Sequence, residues 1–294
     1  MNGHTVLADK CSACGSCVLV CPERVIEKDA ETGKARFTSE SARWCIRCGH
    51  CMAICPEEAV VVTGLSYEKD FRPLADGPAD ADAFQALLER RRSVRRFKPA
   101  PVSRDLLERI VEMVALAPMG FPPHKVRLTV VPDRGKIERG LPAMVKMYAG
   151  MCKAWKFAPV RLLFRLPMSR SDYNVIDRFV VPIMDRAMPE MKAGTDFITH
   201  GAPAMILFHA PKDAECWRED GNIAVTYAAL AAHALGLGAT IIGLVPPVVQ
   251  RDRGLRKLYG IPDGDNVFGC VILGHPAVKF AKRAIRREMG AHWA

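Results

Sequence analysis

Eight of the eleven cysteines repeat one spacing near the start of the chain. The stretch "CSACGSCVLVCP" begins at Cys11 and "CIRCGHCMAICP" begins at Cys45, and both follow C-x2-C-x2-C-x3-C-P. Three closely spaced thiolates can supply three corners of a cubane 4Fe–4S cluster, and in chains with two such runs the fourth cysteine ligates the other cluster. The spacing therefore predicts two clusters, one on Cys11, Cys14, Cys17 and Cys55, the other on Cys45, Cys48, Cys51 and Cys21.

Two other uses of these cysteines compete with the cluster interpretation. Zinc also binds thiolates tetrahedrally, although the triple spacing followed by Cys-Pro is unusual for a zinc site. Disulfides need an oxidising compartment, and nothing before Cys11 resembles a secretory signal. The remaining cysteines are scattered singly, so we expect ordinary reduced thiols at Cys152, Cys216 and Cys270.

A dense basic segment, "RRRSVRRFK" (Arg90–Lys98), is the second candidate for chemistry. A phosphate group is bound well by guanidinium forks and by a hydroxyl donor. Arg91, Ser93 and Arg95 alternate, so in an extended or turn segment they would project to one side and converge on one anion. The competing interpretation is a solvated, charged end of a helix.

The charge of the chain is unevenly divided. Residues 1–65 hold 7 basic and 8 acidic residues, which leaves 35 of the 42 basic and 24 of the 32 acidic residues for the rest. Such a surplus fits a nucleic acid, an acidic partner or a phosphorylated cofactor. The two densest basic stretches, residues 90–98 and 279–288, do not interleave aromatics as a single-strand stacking platform would, and they carry no zinc-finger or RNP-type signature. The pattern therefore favours a bound phosphate group over nucleic acid.

The chain is long enough for one small and one larger domain. We predict a small domain over residues 1–66, a linker over residues 67–80 with two prolines, and a larger domain over residues 81–294. Within the small domain, "EKDAETGKARF" predicts a turn-linked excursion with Gly33 at its tip.

Helix and strand signals alternate irregularly in the larger domain, which predicts an α+β fold with a central sheet flanked by helices. Helices are predicted for "ADAFQALLERRRS", for "SRDLLERIVEMVALAP" with Ser103 as N-cap, and for "NIAVTYAALAAHALG". Residues 135–200 carry weaker signals and are predicted to be mostly helical. Strands are predicted for "VRLTVVP", "PAMILFHAP", "ATIIGLVP" and "VFGCVILGHP".

One apolar run, residues 228–249, is long enough to suggest a membrane span. Its glycines, its two prolines and His233 instead predict a buried helix, a turn at Gly236–Gly238 and a buried strand. We therefore expect a soluble, cytoplasmic protein with no membrane partner.

Both parts of the chain resemble known families. Residues 4–65 resemble bacterial two-cluster ferredoxins through the two cysteine cassettes. Residues 82–290 are similar to the nitroreductase family of FMN enzymes through four motifs in order: "RRRSVRRFKPAPVSRDLLERIVEMVALAPMG", "ITHGAPAMILFHAP", "NIAVTYAALAAHALGLGATIIGLV" and "LGHPAVKFAKRAIRRE". Members with an N-terminal two-cluster ferredoxin exist, and the whole chain resembles them.

The resemblance implies an FMN site, in addition to the two clusters, in a homodimer. It assigns the FMN phosphate and ribityl chain to Arg91, Arg92, Ser93 and Arg95, and a second set of phosphate partners to Lys282 and Arg286. Backbone N–H groups near the flavin N5 are expected around Gly243 and Leu244. Main-chain contacts with the flavin, across the dimer interface, are expected from Pro118, Met119 and Gly120.

One loop departs from the family pattern. Many members follow A-P with S-x-x-N-x-Q-P-W, whereas this chain has "MGFPPHKVRL", with Pro122 where the Asn would lie. The side-chain amide contact with the flavin is therefore lost, which leaves the substrate open. His124 is a weak candidate for a proton donor, since a histidine beside two prolines is more often a loop residue. Apart from it, we expect no catalytic side chain, and the flavin N5 is the expected reacting atom.

These features together predict an iron–sulfur flavoprotein oxidoreductase. Neither a G-x-G-x-x-G after a strand nor a Walker A loop is present, so electrons are expected to enter through the clusters, with an external ferredoxin as a candidate donor. NAD(P)H, which stacks directly on the flavin in the family that the chain resembles, is the competing donor. The expected acceptor is a small electron-poor molecule such as a nitroaromatic, a quinone or a conjugated alkene. Two other interpretations remain: an electron-transfer subunit without its own substrate, and a nucleic-acid-binding iron–sulfur protein, which only the charge supports.

Overall fold

The computed structural model describes residues 3–121, 125–283, 290 and 292–293. The chain divides into two compact units, residues 1–79 with 119–125 and residues 80–118 with 126–294. Below they are called the N-terminal unit and the C-terminal unit.

The N-terminal unit contains two small antiparallel sheets. Strand β1 (Thr5–Val6) pairs with β4 (Val60–Val61), and β2 (Ile26–Lys28) pairs with β3 (Ala35–Phe37). The first pairing joins the beginning of the unit to the strand that follows the second cassette. Its helices are single turns: α1 (Ser16–Leu19), α2 (Ser41–Trp44), α3 (His50–Ala53) and α4 (Tyr67–Asp70).

A tight hairpin connects β2 and β3, as the sequence predicted. Gly33 lies in the left-handed region at φ +67°, which glycine adopts without steric cost. The Asp29 carboxylate accepts a hydrogen bond from the Thr32 N–H at 2.9 Å and so closes the turn.

The N-terminal end of the predicted linker contains a helical turn. Residues 67–70 form α4, and Tyr67 and Phe71 pack against the core of the N-terminal unit with their ring centroids 5.6 Å apart. The prolines and charged residues of the stretch are typical of a linker, so the sequence did not predict this turn. Two aromatic side chains are enough to pack it against the core.

The C-terminal unit contains one four-stranded antiparallel sheet in the order β5-β6-β8-β7. Its strands coincide with the four predicted apolar runs: β5 (Arg127–Val131), β6 (Ala204–Pro211), β7 (Gly238–Ile241) and β8 (Asp265–Gly274). The third run was predicted too long. β7 ends at Ile241 because the chain then turns into a helix that opens with Pro246 and Pro247.

Helices account for most of the remaining C-terminal unit. They are α5 (Ala81–Arg90), α6 (Arg104–Ala115), α7 (Arg134–Trp155), α8 (Ala158–Arg165), α9 (Arg170–Val175), α10 (Val181–Lys192), α11 (Trp217–Ala234), α12 (Pro246–Arg251) and α13 (Arg253–Tyr259). A π-helical turn, Ile176–Val180, links α9 to α10. Residues 135–200 are thus mostly helical, as predicted.

Both faces of the sheet are covered. Alternate residues of β6 belong to different apolar clusters, with Met205 and Leu207 in one and Ile206 and Phe208 in the other. The first cluster includes side chains of α7, α10, α12 and α13, and the second includes side chains of α6 and α11. Because β6 is buried on both sides along nearly its whole length, its sequence is largely apolar rather than alternating. The predicted α+β class, with a central sheet flanked by helices, is confirmed.

Local signals set several helix boundaries. Ser103 caps α6, since its hydroxyl accepts a hydrogen bond from the Leu106 N–H, as predicted. Helix α11 begins at Trp217, earlier than the predicted start at Asn222. The apolar run 228–249 divides into the end of α11, a turn with Gly236 at φ +79°, β7 and the first residues of α12. Within the described part of the chain, no helix combines the length and apolarity that a bilayer crossing requires.

Candidate functional site

Two small cavities in the N-terminal unit collect the eight cassette cysteines into two sets of four. The first cavity is lined by Cys11, Cys14, Cys17 and Cys55, and the second by Cys21, Cys45, Cys48 and Cys51. Each set draws three thiols from one cassette and the fourth from the other cassette. The grouping matches the ligand sets expected from the spacing, and iron ligation by them stays a prediction.

The two cassettes share an unusual backbone. Gly15 and Gly49, at φ +77° each, precede α1 and α3, and Ala13 and Arg47 lie in the left-handed region two residues earlier. A side chain in that region costs about 1 kcal/mol or more, so its repetition indicates a required loop shape. The repeated left-handed turns curl each cassette around its own cavity.

The cavities are unfavourable places for uncompensated negative charge. Burial, with the neighbouring thiolates of its set, raises the pKa of Cys51 to about 12. The pKa values of Cys17 and Cys45 are raised for the same reasons. Cys14 is exposed, and its hydrogen bond with the Ser16 hydroxyl, 3.5 Å from Sγ to Oγ, lowers its pKa. Four converging thiolates therefore need a cationic centre between them, and an iron–sulfur cluster fits this donor set.

The arginine segment of the C-terminal unit is held firmly against β7. Ser93 forms a parallel bridge with Ala239, and the Val94 N–H donates to the Ala239 carbonyl at 3.1 Å. The Thr240 hydroxyl donates to the Val94 carbonyl. Gly238 is required here, because a Cβ at that position would lie 2.7 Å from a Val94 methyl carbon. The segment is thus a fixed part of the sheet edge rather than a freely solvated helix end.

One side of this segment borders a basic cavity of about 610 Å³. Arg92 and Val94 line it, and the Arg92 guanidinium donates to the Lys282 carbonyl at 3.3 Å. The only carboxylate among its described lining residues is Glu89, which pairs with Arg283 at 3.5 Å. The other basic residues that line it are Arg90, Lys279 and Lys282. The structure therefore brings Arg92 and Lys282 together in surroundings suited to an anion.

Arg91, Ser93 and Arg95 do not line that cavity. They alternate with Arg92 and Val94, and Ser93 and Arg95 are exposed. Among the residues that the structure describes, neither Arg91 nor Arg95 has a carboxylate partner. The predicted phosphate set is therefore divided between two sides of one segment, and both sides carry uncompensated positive charge.

The end of β7 offers free backbone donors. The Ile242 N–H still bonds the Cys270 carbonyl at 2.8 Å, but no described residue accepts a hydrogen bond from the N–H of Gly243 or Leu244. Gly243 is exposed, and a Cβ there would meet no atom within 4 Å. The Leu244 carbonyl accepts a hydrogen bond from the Tyr148 hydroxyl at 2.6 Å. The turn is therefore fixed in place while its two N–H groups remain available.

Two histidines lie close to the arginine segment. His233 accepts a hydrogen bond at Nε2 from the Arg92 N–H at 3.2 Å, and its Nδ1–H donates to the Ala229 carbonyl at 3.1 Å. Burial lowers the pKa of His233, and the positive charges of Arg91 and Arg92 act in the same direction. Burial also lowers the pKa of His200, as does the charge of Arg95. Both rings are accordingly neutral at neutral pH.

The remaining predicted positions form no common site in the described chain. Pro118 belongs to the C-terminal unit, whereas Met119 and Gly120 belong to the N-terminal unit, and all three are exposed. Pro122, His124 and Arg286 lie outside the described residues. No catalytic side chain is assigned by the geometry.

Three residues that position the site were not predicted from the sequence: Tyr148, His233 and Thr240. His233 had a usable signal, since a single imidazole in an alanine-rich helix needs a polar partner once it is buried. Tyr148 and Thr240 had none, because their acceptors lie 96 and 146 residues away along the chain.

Two family models match the chain, one in each unit. Residues 88–275 match the family model described as the nitroreductase family. Residues 10–60 match the model described as a 4Fe-4S dicluster domain.

Two curated relatives have related names. A protein of Methanothermobacter thermautotrophicus, named as an NADH dehydrogenase/NAD(P)H nitroreductase, is 26% identical over 67% of this chain and 78% of its own length. An FMN reductase [NAD(P)H] of Bacillus subtilis is 28% identical, and the match spans 65% of each protein, slightly under two thirds.

Solved structures share the fold of the C-terminal unit. A nitroreductase of Bacteroides fragilis with bound FMN has a TM-score of 0.54 and 19% identity, covering 71% of this chain and 98% of that one. A nitroreductase of Desulfitobacterium hafniense with bound FMN has a TM-score of 0.53 and 23% identity, covering 71% and 97%. At these identities the likeness shows the fold alone.

Proposed function

Since the chain belongs to the nitroreductase family and carries a 4Fe-4S dicluster domain, we propose that it is an FMN-dependent oxidoreductase fed by its own clusters. Electrons enter through two 4Fe–4S clusters, continue to FMN and leave to a small electron-poor acceptor. Nitroaromatics, quinones and conjugated alkenes are the acceptor classes that fit.

The observation that carries the flavin assignment is the pair of free N–H groups at the end of β7. Gly243 and Leu244 are available to an acceptor atom, and the Tyr148 hydroxyl fixes the adjacent carbonyl. A flavin ring nitrogen that gains electron density is stabilised by such preorganised donors. The open space beside Gly243 admits a flat ring, which a side chain at this position would obstruct.

The arginine segment supplies the matching anion site. We assign the FMN phosphate and ribityl chain to Arg91, Arg92, Ser93 and Arg95, with Lys282 as a further partner and Arg286 carried over from the family resemblance. Charge-assisted hydrogen bonds from guanidinium groups bind phosphate strongly. Because Val94 is bound to Ala239 and Thr240, these donors are in place before the ligand arrives.

The protein's residues bind and orient the cofactors, and the cofactors supply the redox chemistry. Bound clusters transfer single electrons, and bound FMN converts single-electron input into two-electron delivery. The eight cassette thiolates hold the clusters. Met119 and Phe121 are exposed and lie next to Pro122, which stands in place of the family's Asn. These apolar side chains favour an apolar acceptor over a charged one. The proposal also includes main-chain contacts of Pro118, Met119 and Gly120 with the flavin.

The proposal includes a homodimer and an external donor. Several large apolar side chains of α8 are exposed, among them Leu162 and Leu163 at 62% and 66%, and a second subunit would cover such a surface. The basic surplus outside residues 1–65 would attract an acidic external ferredoxin, with attraction falling as salt rises. NAD(P)H, which the names of both relatives include, is the competing donor.

Stopped-flow spectroscopy of the intact, anaerobically purified protein tests the proposal. Flavin reduction is followed with reduced ferredoxin, NADH or NADPH, and then repeated on protein whose clusters have been removed by chelation. We expect reduction through ferredoxin to be lost with the clusters, and the reduced flavin to be reoxidised by a quinone or a nitroaromatic. Equally fast reduction by NAD(P)H with and without clusters, with no response to ferredoxin, would contradict the cluster-fed route. Absence of any oxidising acceptor would instead favour an electron-transfer subunit.

A further inference from the structure

The two cysteine cavities are built on the same sequence repeat but differ in the polar side chains that line them. Ser12 and Ser16 line the first cavity, and no carboxylate is among its described lining residues. The described lining of the second cavity includes no hydroxyl side chain, and it does include the Glu23 carboxylate. At the positions equivalent to Ser12 and Ser16, the second cassette has Ile46 and His50. Of the two linings, only the first therefore offers hydroxyl donors.

Ser16 lies within hydrogen-bond reach of a cysteine sulfur. Its Oγ is 3.5 Å from the Sγ of Cys14, the exposed member of the first set. A ligating cysteine is deprotonated and has no proton to donate, so the Ser16 O–H is then the donor of this pair. Ser16 is the first residue of α1 and follows Gly15, which lies in the left-handed region at φ +77°. The cassette backbone therefore sets the position of this hydroxyl.

The two cassettes also differ in what covers the glycine before each helical turn. A Cβ at Gly15 would lie 2.9 Å from the Lys28 Nζ, so an ammonium group lies over the first cassette. A Cβ at Gly49 would instead lie 3.1 Å from the Phe71 ring and 3.5 Å from a Leu65 methyl carbon. A cation and a hydroxyl donor both favour added negative charge, whereas apolar groups and a carboxylate do not. Both differences thus favour an added electron at the first cavity.

We propose that the Ser16 hydroxyl donates a hydrogen bond to the Cys14 sulfur and thereby makes the cluster of the first set the more easily reduced of the two. The proposal rests on cluster binding by the two cysteine sets. Reduction adds one electron to a cluster, and a donor to a ligand sulfur stabilises the more negative state. Ser16 is not itself a ligand, so its hydroxyl can be removed without changing the donor set.

The test measures both cluster potentials in full-length, anaerobically purified protein. Iron and sulfide are determined first, and the potentials are then measured by titration with dithionite as reductant and EPR detection. In Ser16→Ala we expect the first-set cluster to become harder to reduce by an equilibrium factor of about ten, which is about 59 mV for one electron, while the other potential is unchanged. Cys14→Ser, which alters a ligand of the first set only, assigns each signal to its cluster.

Three further variants isolate the hydroxyl as the cause. Ser16→Thr retains an O–H at this position and should keep the wild-type potential. Ser39→Ala is the matched control, because Ser39 is exposed in the same unit and lines neither cavity. His50→Ser places a hydroxyl at the equivalent position of the second cassette, after a glycine with the same φ of +77°, and should raise the potential of the second-set cluster.

Each outcome decides the matter. Full iron and sulfide content with an unchanged first-set potential in Ser16→Ala would overturn the Ser16 assignment alone. A wild-type protein whose second-set cluster is the more easily reduced would overturn it too. Should Ser16→Ala fail to assemble its cluster, His50→Ser decides instead, because a second-set potential that does not rise would contradict the inference. Wild-type protein without iron or sulfide would overturn the cluster proposal and this inference together.

Discussion

The Tyr148 hydroxyl donates a hydrogen bond to the Leu244 carbonyl at 2.6 Å and joins the middle of α7 to the turn that follows β7. Burial raises the pKa of Tyr148 to about 12, so its proton is present at any working pH. The contact fixes the turn whose two free N–H groups we assign to the flavin.

Removal of this hydroxyl should loosen the turn. Tyr148→Phe loses a hydrogen bond worth about 1 kcal/mol, which corresponds to roughly fivefold weaker FMN binding if the turn is flavin-binding. FMN affinity is measured by fluorescence quenching on apoprotein, with Tyr173→Phe as the matched control. Equal affinities for the two variants would show that the turn does not contact the flavin.

Replacement of Arg91 should weaken FMN binding while leaving the iron content unchanged. A hydrogen bond to a charged phosphate contributes about 1.5–3 kcal/mol, so Arg91→Ala should raise the FMN dissociation constant roughly 10- to 100-fold. Arg104→Ala is the control, because that arginine is exposed and pairs with Glu108 on the same helix. A variant that retains FMN as tightly as the control would refute the phosphate role of Arg91.

Exchange of the fourth ligand between cassettes gives a distinctive prediction. Cys55→Ala should lose the cluster built mainly on the first cassette, and Cys21→Ala the one built mainly on the second, each lowering iron from about eight to about four per chain. EPR spectra of the two variants should therefore be complementary. Cys216→Ser, outside both cavities, should retain all the iron. If Cys55→Ala instead lost the cluster of its own cassette, the crossed ligand sets would be wrong.

The His233 ring should make stability depend on pH. Its pKa is lowered in the folded protein, so below the ordinary value of 6.5 the unfolded chain binds a proton that the folded chain does not. The free energy of unfolding should accordingly be highest above pH 6.5 and decrease as the pH falls below it. His200 has the same direction of shift and contributes to the same decrease.

Two variants separate titration from hydrogen bonding at this position. His233→Gln can still accept from the Arg92 N–H but cannot titrate, so urea unfolding at pH 7.5 and 5.5 should show a smaller pH difference than in wild type. His233→Ala leaves the Arg92 N–H without its acceptor and should lose about 1–3 kcal/mol at both pH values. An unchanged pH difference in His233→Gln would exclude this residue as the titrating group.

Several properties of the chain could be read from short stretches of sequence. The cassette spacing was enough to predict the crossed sets of four cysteines, because three thiols of each set come from one tight loop. The Ser103 cap, the turn at Gly33 and the four strands also depend on neighbouring residues or on continuous apolar runs. These signals sufficed for the α+β class and for the family resemblance, and the structure and the comparisons confirm both.

Only the tertiary structure reveals the hydrogen bonds that position the candidate site, because their donors and acceptors are far apart in sequence. His233 and Arg92 are 141 residues apart, and Tyr148 and Leu244 are 96 apart, so no local pattern relates them. The division of the arginine segment into a cavity side and an exposed side follows from its pairing with Ala239, which only the folded sheet creates. Tyr67 lay in a stretch whose composition indicated a linker, and only packing against the cysteine core buries its hydroxyl. Composition and spacing thus determine which ligands the chain can bind, whereas long-range pairing and burial determine which donors are left free to bind them.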